Sequence, residues 1–575
     1  MSAVFGILDL EGRPLDPSWI KSMQDDLVHR GPDGQGLYQE KSLALGHLLL
    51  QVTPESIYDK SPFEEDGLVI TAHARLDERE VLMDRLNIAQ DERIKTTDPV
   101  LLLRSYRKWG KKFLKDIYGD FSFAIWDKDK KELFCARDQM GVKPLLYYFQ
   151  GNRFVFSTEI KAIARLPFVN TAIDNNYLRD KAIAICDQPQ KTAWKNIVRL
   201  NAASTLTING YSLCTKQYWK PKYKRNYKFI TEEDSAAALK ELLEKVITDH
   251  TRVIGEVGAP LSGGLDSSII VCLAAKKLNR EGKKIVTASS VYTPGFENPE
   301  APDEMKYITE VIQQEHNIDP GFVYHLDHEF INGMNNKFSR HFSPVNGFYY
   351  IDEALNNQFQ LKSVRRVLSG YLGDSTATNI SINPIPILFT SGRFNTLRKL
   401  LSQYRQNENK AIAALLKYCV LTEFTPKKFQ KAWSKYKGSV DTSRNIDQLP
   451  LIANSMEIIA LQKKVFRTFR VSNFSTRDIA QNIWPNHLYL FDEDWDCGPS
   501  YHQIEMTYPL CDRRVVELLL QLPVEHFYAG GNRRGLIRKA MIGILPEKIR
   551  LRKNKGSYAP GYTQLIKEGI KRIII

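Results

Sequence analysis

The stretch APLSGGLDSSII, residues 259–270, decides how the chain is read. Apolar residues run up to Leu261, Gly263 and Gly264 follow, and Asp266, Ser267 and Ser268 open a second apolar run of helical character. Glycines let a backbone approach closely. The first turn of a helix presents N–H groups without intrahelical partners, together with about half a positive charge. A strand-to-helix corner of this kind receives phosphate, and the hydroxyls of Ser262, Ser267 and Ser268 add donors. An acid inside an anion site is explained by a divalent cation, which assigns Asp266 as a metal ligand. A Gly-Gly turn alone is common and binds nothing, whereas Ser-Gly-Gly-x-Asp-Ser-Ser after a strand is specific. It is not the GxxxxGK[ST] pattern of other phosphate loops.

Outward from this corner the chain alternates helix, strand, helix, strand: SAAALKELLEKVITDHT, VIGEVGAPL, SIIVCLAAKKL, KIVTASSVY. That alternation predicts βαβ units and a mostly parallel sheet for residues 235–575. Residues 1–215 read differently, as frequent short β-type runs (SAVFGILDL, SLALGHLLL, GLVITAHARL, GDFSFAIWD, ELFCARD, RFVFSTE) separated by turn chemistry. A sheet-rich first domain is expected. Residues 216–234, basic and aromatic, form a linker that ends at a helix capped near Thr231.

A chain of 575 residues exceeds one hydrophobic core. With 43% hydrophobic and 25% charged residues it has the composition of a folded soluble protein, and no apolar stretch reaches membrane-spanning length. A cytoplasmic enzyme is the expectation. Seven cysteines without CxxC or Cys/His spacing exclude a disulfide framework and a zinc site. The net charge of +14 fits an anionic partner without choosing among nucleotide, nucleic acid and acidic peptide. Much of it lies in residues 381–480, where 17 Lys and Arg face 6 Asp and Glu. This basic insertion, about 380–500, reads either as solvated helix faces or as a wall for a long or acidic substrate.

SGGLDSS resembles the pyrophosphate-binding loop of ATP pyrophosphatases, and the chain as a whole is similar to the asparagine synthetase family. HRGPDGQG (29–36), GDFSFAIWD (119–127), ARDQMGVKPLLYY (136–148), STEIKAI (157–163) and YPLCDRRVVELLLQLP (508–523) carry the resemblance. It implies an N-terminal glutaminase-like sheet sandwich of the Ntn type over residues 1–215. It also implies a C-terminal adenine-nucleotide α-hydrolase-like domain over 235–575, in which ATP adenylates a carboxylate, pyrophosphate leaves and an amine displaces AMP. ATP and Mg²⁺ are the implied cofactors. Leu261, Ser262, Gly263, Gly264, Asp266, Ser267 and Ser268 would receive the phosphates, and Ser289 and Val291 in IVTASSV would face adenine. VLSGYLGDSTATN (367–379) resembles a second segment of the family, with Gly370 beside the nucleotide and Asp374 sharing the metal with Asp266. Tyr371 stands where β-lactam synthetases have a catalytic tyrosine, although a packed aromatic is an equal reading. Lys555, in RLRKNKGSY, matches the lysine that neutralises the reacting acyl-phosphate, and Arg538 is a weaker phosphate candidate.

The departures set the branch. Glutaminases of this family expose an N-terminal cysteine, and this chain has Ser2. Serine can serve as an N-terminal nucleophile. However, Ala72 and His73 replace the Asn-Gly pair that supplies oxyanion donors, and Leu49 replaces the arginine that would hold the glutamine carboxylate. Loss of one oxyanion donor costs roughly 10²- to 10³-fold. The expectation is a glutaminase-degenerate branch most like lasso peptide cyclases, then β-lactam synthetases. The substrate's own amine then closes an intramolecular amide, helped by proximity. A precursor peptide and a leader peptidase are the expected partners, without membrane or nucleic acid. An ammonia-dependent asparagine synthetase, a tRNA-modifying enzyme and a non-catalytic regulatory relative are the alternatives.

Overall fold

The computed structural model describes residues 1–182, 188–222, 231–296, 303–324, 339–343, 348–378, 384–408 and 494–553. Two six-stranded sheets make up the N-terminal half. The first runs Ile197–Arg199, Leu146–Gln150, Arg153–Ser157, Ala3–Asp9, Leu43–Leu49, Gly34–Gln39; the second runs Ser212–Gln217, Ser204–Asn209, Glu132–Arg137, Gly119–Asp127, Leu68–Leu76, Phe63–Glu65. Neighbouring strands pair antiparallel, for example Ala3↔Leu48 and Thr71↔Ala124. Ala3–Asp9 is buried on both faces, which explains its unbroken apolar run. Val4 and Leu8 meet Val69, Trp126 and Phe154 between the sheets, while Phe5 and Ile7 face Met23 and Leu27 of the helix Pro17–Leu27. The second sheet turns Ile70, Phe121 and Phe134 toward Leu101, Leu102 and Tyr106 of the helix Asp98–Trp109. The order of layers is helix, sheet, sheet, helix.

The C-terminal half opens with the helix Glu232–His250. Its start is fixed by a reciprocal cap, the Asp234 N–H donating to Thr231 Oγ1 at 3.1 Å and the Thr231 N–H to Asp234 Oδ2 at 3.0 Å. Leu239, Leu243, Val246 and Ile247 lie on its buried face, each contributing about 1.5–3 kcal/mol of transfer free energy. A five-stranded parallel sheet follows, ordered Ile318–Tyr324, Ile285–Val291, Glu256–Pro260, Val364–Leu368, Glu505–Thr507. Pro320, which cannot donate to a ladder, sits in the outermost strand. Ile269, Ile270 and Leu273 of the helix Leu265–Asn279 cover one face. Tyr350, Leu355 and Phe359 of the helix Tyr349–Leu361 cover the other.

In chain order the five strands lie third, second, first, fourth, fifth. Connections therefore depart in opposite directions from Glu256–Pro260 and Val364–Leu368, which opens a crevice beyond their carboxyl ends. Residues 261–268 and 369–374 lead out of those two strands.

Candidate functional site: the corner at the strand switch

The corner is built as its residues require. Gly263 has φ +67, and a Cβ there would lie 2.7 Å from Tyr307 Cβ, so glycine is needed for both conformation and space. The helix begins at Leu265 with Gly264 at its cap. The Ser262 N–H donates to Ser267 Oγ at 3.2 Å, the two hydroxyls lie 3.0 Å apart, and Ser267 Oγ donates back to the Gly264 carbonyl at 3.2 Å. These bonds curl the loop over the helix start. Ser268 is fully buried, and its Oγ has no hydrogen-bond partner among the described residues. The Leu261 N–H bonds to the Ala288 carbonyl at 3.0 Å, which carries the sheet one residue past the strand; Ser289 and Val291, farther along that neighbouring strand, are both buried and pair with Phe322 and Tyr324 on its other side.

Residues 369–374 close on this corner from the neighbouring strand. A Cβ on Gly370 would lie 3.1 Å from Ser267 N, and one on Gly373 would lie 2.8 Å from Asp266 Oδ1. Glycine at both positions permits the approach. Asp374 and Asp266 are brought to one guanidinium: Arg534 bonds Asp374 Oδ1 through Nη2, and its Nη1 stands 3.8 Å from Asp266 Oδ2. Two carboxylates near a single cation, over a helix start whose backbone is approached by glycines, are a donor set that fits a divalent cation with a polyphosphate. Asp266 and Asp374 would hold that cation, which would supply charge neutralisation on the phosphates.

A second arginine fixes the loop from below. Arg552 bonds Glu304 through both nitrogens, the Nη2 contact being 2.6 Å, donates from Nη1 to the Gly263 carbonyl at 3.1 Å, and lies 3.7 Å over the Tyr307 ring. Arg538, a phosphate candidate in the sequence, is committed instead to the Arg533, Arg550 and Arg552 carbonyls. Tyr371 stacks on Trp495 with ring centroids 3.8 Å apart and faces Tyr508 edge-on at 6.2 Å, inside a small apolar cluster with Met140 and Val142 of the first domain. Lys555 and most of the basic insertion, residues 409–493, lie outside the described residues. Arg534, Arg552, Glu304 and Trp495 were not singled out from sequence. The one signal was the arginine pair 533–534 preceding Arg538 by one helical turn.

The N-terminal residues gather at the seam between the domains. Ser2 Oγ accepts the Leu50 N–H at 3.0 Å, and Ser2 is buried with Leu49. Burial and the nearby Arg30 charge push the Met1 amine down to about 4. Burial first, then Lys143, lowers His73 well below its ordinary value, so its ring is neutral. Lys143 and Arg366 both pair with Glu505, at 2.6 and 2.8 Å, and all three are buried. Arg30, fully buried, bonds Asp496 at 2.6 Å and also Glu159, and Arg514 bonds Asp77 at 3.1 Å and Asp512 at 2.8 Å. Asp77, His250 and Asp512 converge closely enough for a metal, but Arg75 and Arg514 already neutralise that group.

This two-part architecture is matched by two family models, a glutamine amidotransferase domain over residues 1–219 and an asparagine synthase domain over residues 238–333 and 480–574. The chain belongs to the asparagine synthetase family. Asparagine synthetase (glutamine-hydrolyzing) 3 of Bacillus subtilis is 25% identical over 96% of this chain and 86% of its own length. Asparagine synthetase (glutamine-hydrolyzing) 1 of the same organism is 23% identical over 94% and 84%. A putative asparagine synthetase 2 of Methanocaldococcus jannaschii is 30% identical over 47% of this chain and 56% of its own length. The asparagine synthetase family comprises ATP-dependent ligases that form C–N bonds. Among the described residues no helix is long and apolar enough to cross a membrane.

Proposed function

We propose that the chain adenylates a substrate carboxylate with ATP and couples it to an amine of the same substrate, closing the macrolactam of a lasso peptide between the N-terminal amine and an Asp or Glu side chain. The observation that carries the activation step is the convergence of Asp266 and Asp374 over the Ser262–Ser268 corner. There the helix start and the Ser262 and Ser267 hydroxyls would receive the phosphates, and Asp266 and Asp374 would hold the Mg²⁺ that supplies charge neutralisation for the departing pyrophosphate. Lys555 would neutralise the acyl-phosphate. Tyr371 is read as a positioning aromatic, because its ring is stacked on Trp495.

Glutamine is set aside as the nitrogen source on three grounds. Leu49 offers no charge to a carboxylate, Ala72 and His73 replace an oxyanion pair, and Ser2 Oγ is engaged by the Leu50 N–H. With no ammonia made, the amine belongs to the substrate and proximity lowers the barrier. Aspartate amidation is the second reading, favoured by relatives named asparagine synthetase that align along nearly the whole chain. One assay separates them. The purified protein with Mg²⁺ and ATP is offered linear peptides bearing an internal Asp or Glu, aspartate with ammonium, or aspartate with glutamine, and AMP, pyrophosphate and amide products are measured by mass spectrometry. Peptide dehydration with AMP formation is expected; asparagine from ammonium supports the second reading, and glutamate released from glutamine overturns the dead-glutaminase assignment.

A further inference from the structure

We propose that Arg534 is an internal counter-ion that holds Asp266 and Asp374 in the nucleotide-free site and releases them when nucleotide and divalent cation enter together. The inference rests on reading this corner as a metal–nucleotide site. It deepens that reading by assigning the coupling between the two ligands to one side chain.

Asp266 and Asp374 come from different segments, and two carboxylates that share a site repel. The Arg534 fork reaches both, bonding Asp374 through Nη2 and standing 3.8 Å from Asp266 through Nη1. A guanidinium stays protonated, so it cannot leave by losing charge and must move or exchange partners. A cation ligated by the same two acids needs carboxylate oxygens of the kind Arg534 occupies. Metal alone therefore competes with Arg534. Metal with a polyphosphate does not, since phosphate oxygens accept the displaced guanidinium in a bidentate pair.

The backbone supports a moving side chain on a fixed base. Arg534 itself sits in the left-handed region at φ +57, a conformation a non-glycine residue keeps only when its surroundings impose it. On one side a Cβ on Gly535 would lie 2.3 Å from the Ala529 carbonyl oxygen. One helical turn on, Arg538 binds three backbone carbonyls. The Arg534 side chain, in contrast, is about a fifth exposed at the crevice and has the rotatable bonds to change partners.

The test measures Mn²⁺ binding to the full chain by electron paramagnetic resonance, alone and with an ATP analogue bearing a methylene between the α and β phosphorus atoms. For the unaltered protein the analogue should tighten Mn²⁺ by at least about tenfold. Arg534→Gln should bind Mn²⁺ alone about tenfold more tightly and lose most of that synergy, and Arg534→Lys, a point charge that cannot fork between two acids, should fall between. If Arg534→Gln fails to fold, Arg534→Lys decides by the same readout. Mn²⁺ affinity and synergy within twofold of the unaltered protein in both variants would overturn the inference. Should Asp266→Asn abolish joint binding while the Arg534 variants behave as the unaltered chain, the site reading stands and the counter-ion role alone fails. No joint binding by the unaltered protein removes both.

Discussion

Gly373 shows how much one missing side chain can carry. A Cβ there would stand 2.8 Å from both Asp266 Oδ1 and Leu510 Cδ1, so an added methyl pushes on the acid and on the core together. Gly373→Ala is expected to cost about 1–3 kcal/mol of stability and to weaken ATP binding about tenfold, the change in affinity that follows from 1.4 kcal/mol of lost contact. Gly370→Ala, with its nearest contacts at 3.1 Å, should have the milder effect. Urea unfolding beside nucleotide titration checks both, and a Gly373→Ala protein of unchanged affinity would contradict the packing account. Gly373 was not singled out in the sequence, whereas Asp266 was, from SGGLDSS, and Asp374 and Gly370 were, through the resemblance carried by VLSGYLGDSTATN. Arg534 was not. Nothing in GGNRRGLIRK says which arginine turns inward, since that depends on the left-handed backbone at residue 534.

At the scale of elements, the helix–strand alternation from residue 235 was readable because the inner strands are covered on both faces and leave near-continuous apolar runs. The helix start at Thr231 was readable from its cap. What joins the loop to the rest was not readable. Glu304 and Arg552 belong to segments far apart in the chain and meet only when the sheet order brings them under Gly263. Arg552→Ala should leave the buried Glu304 carboxylate and the Gly263 carbonyl unpaired, costing about 1–3 kcal/mol, and should raise the KM for ATP more than it lowers kcat. A lowered kcat with an unchanged KM would place Arg552 in the chemistry and not in the support of the loop.

Across the whole molecule the two domains are joined by buried charge. Burial works to raise the Glu505 carboxyl, but Lys143 and Arg366 more than offset it and hold it well below its ordinary 4.5. Glu159 is likewise held down, burial being outweighed by Arg30. The sign follows from proton counting. In acid the unfolded chain protonates these groups near their ordinary value while the folded chain resists, so the unfolded state binds more protons and stability falls as pH falls. Their contribution is complete above about pH 6 and is lost progressively below about pH 5. Unfolding midpoints from pH 7 to pH 4 should show this loss, and Glu505→Gln should flatten it. Glu505→Ala, which strands Lys143 and Arg366 in the interior, should cost roughly 3–5 kcal/mol. The two-domain plan was legible in the contrast between strand-rich and alternating halves. The seam was not, because its pairs span hundreds of residues and leave no local pattern.

The central claim is that the Ser262–Ser268 corner and its two acids grip a magnesium nucleotide, and calorimetric titration of the full chain with Mg·ATP tests it most directly. One site per chain is predicted, with Asp266→Asn weakening it at least about tenfold, as expected when a metal-holding carboxylate is lost. Equal affinity in the two proteins, or no binding by the unaltered one, would contradict it.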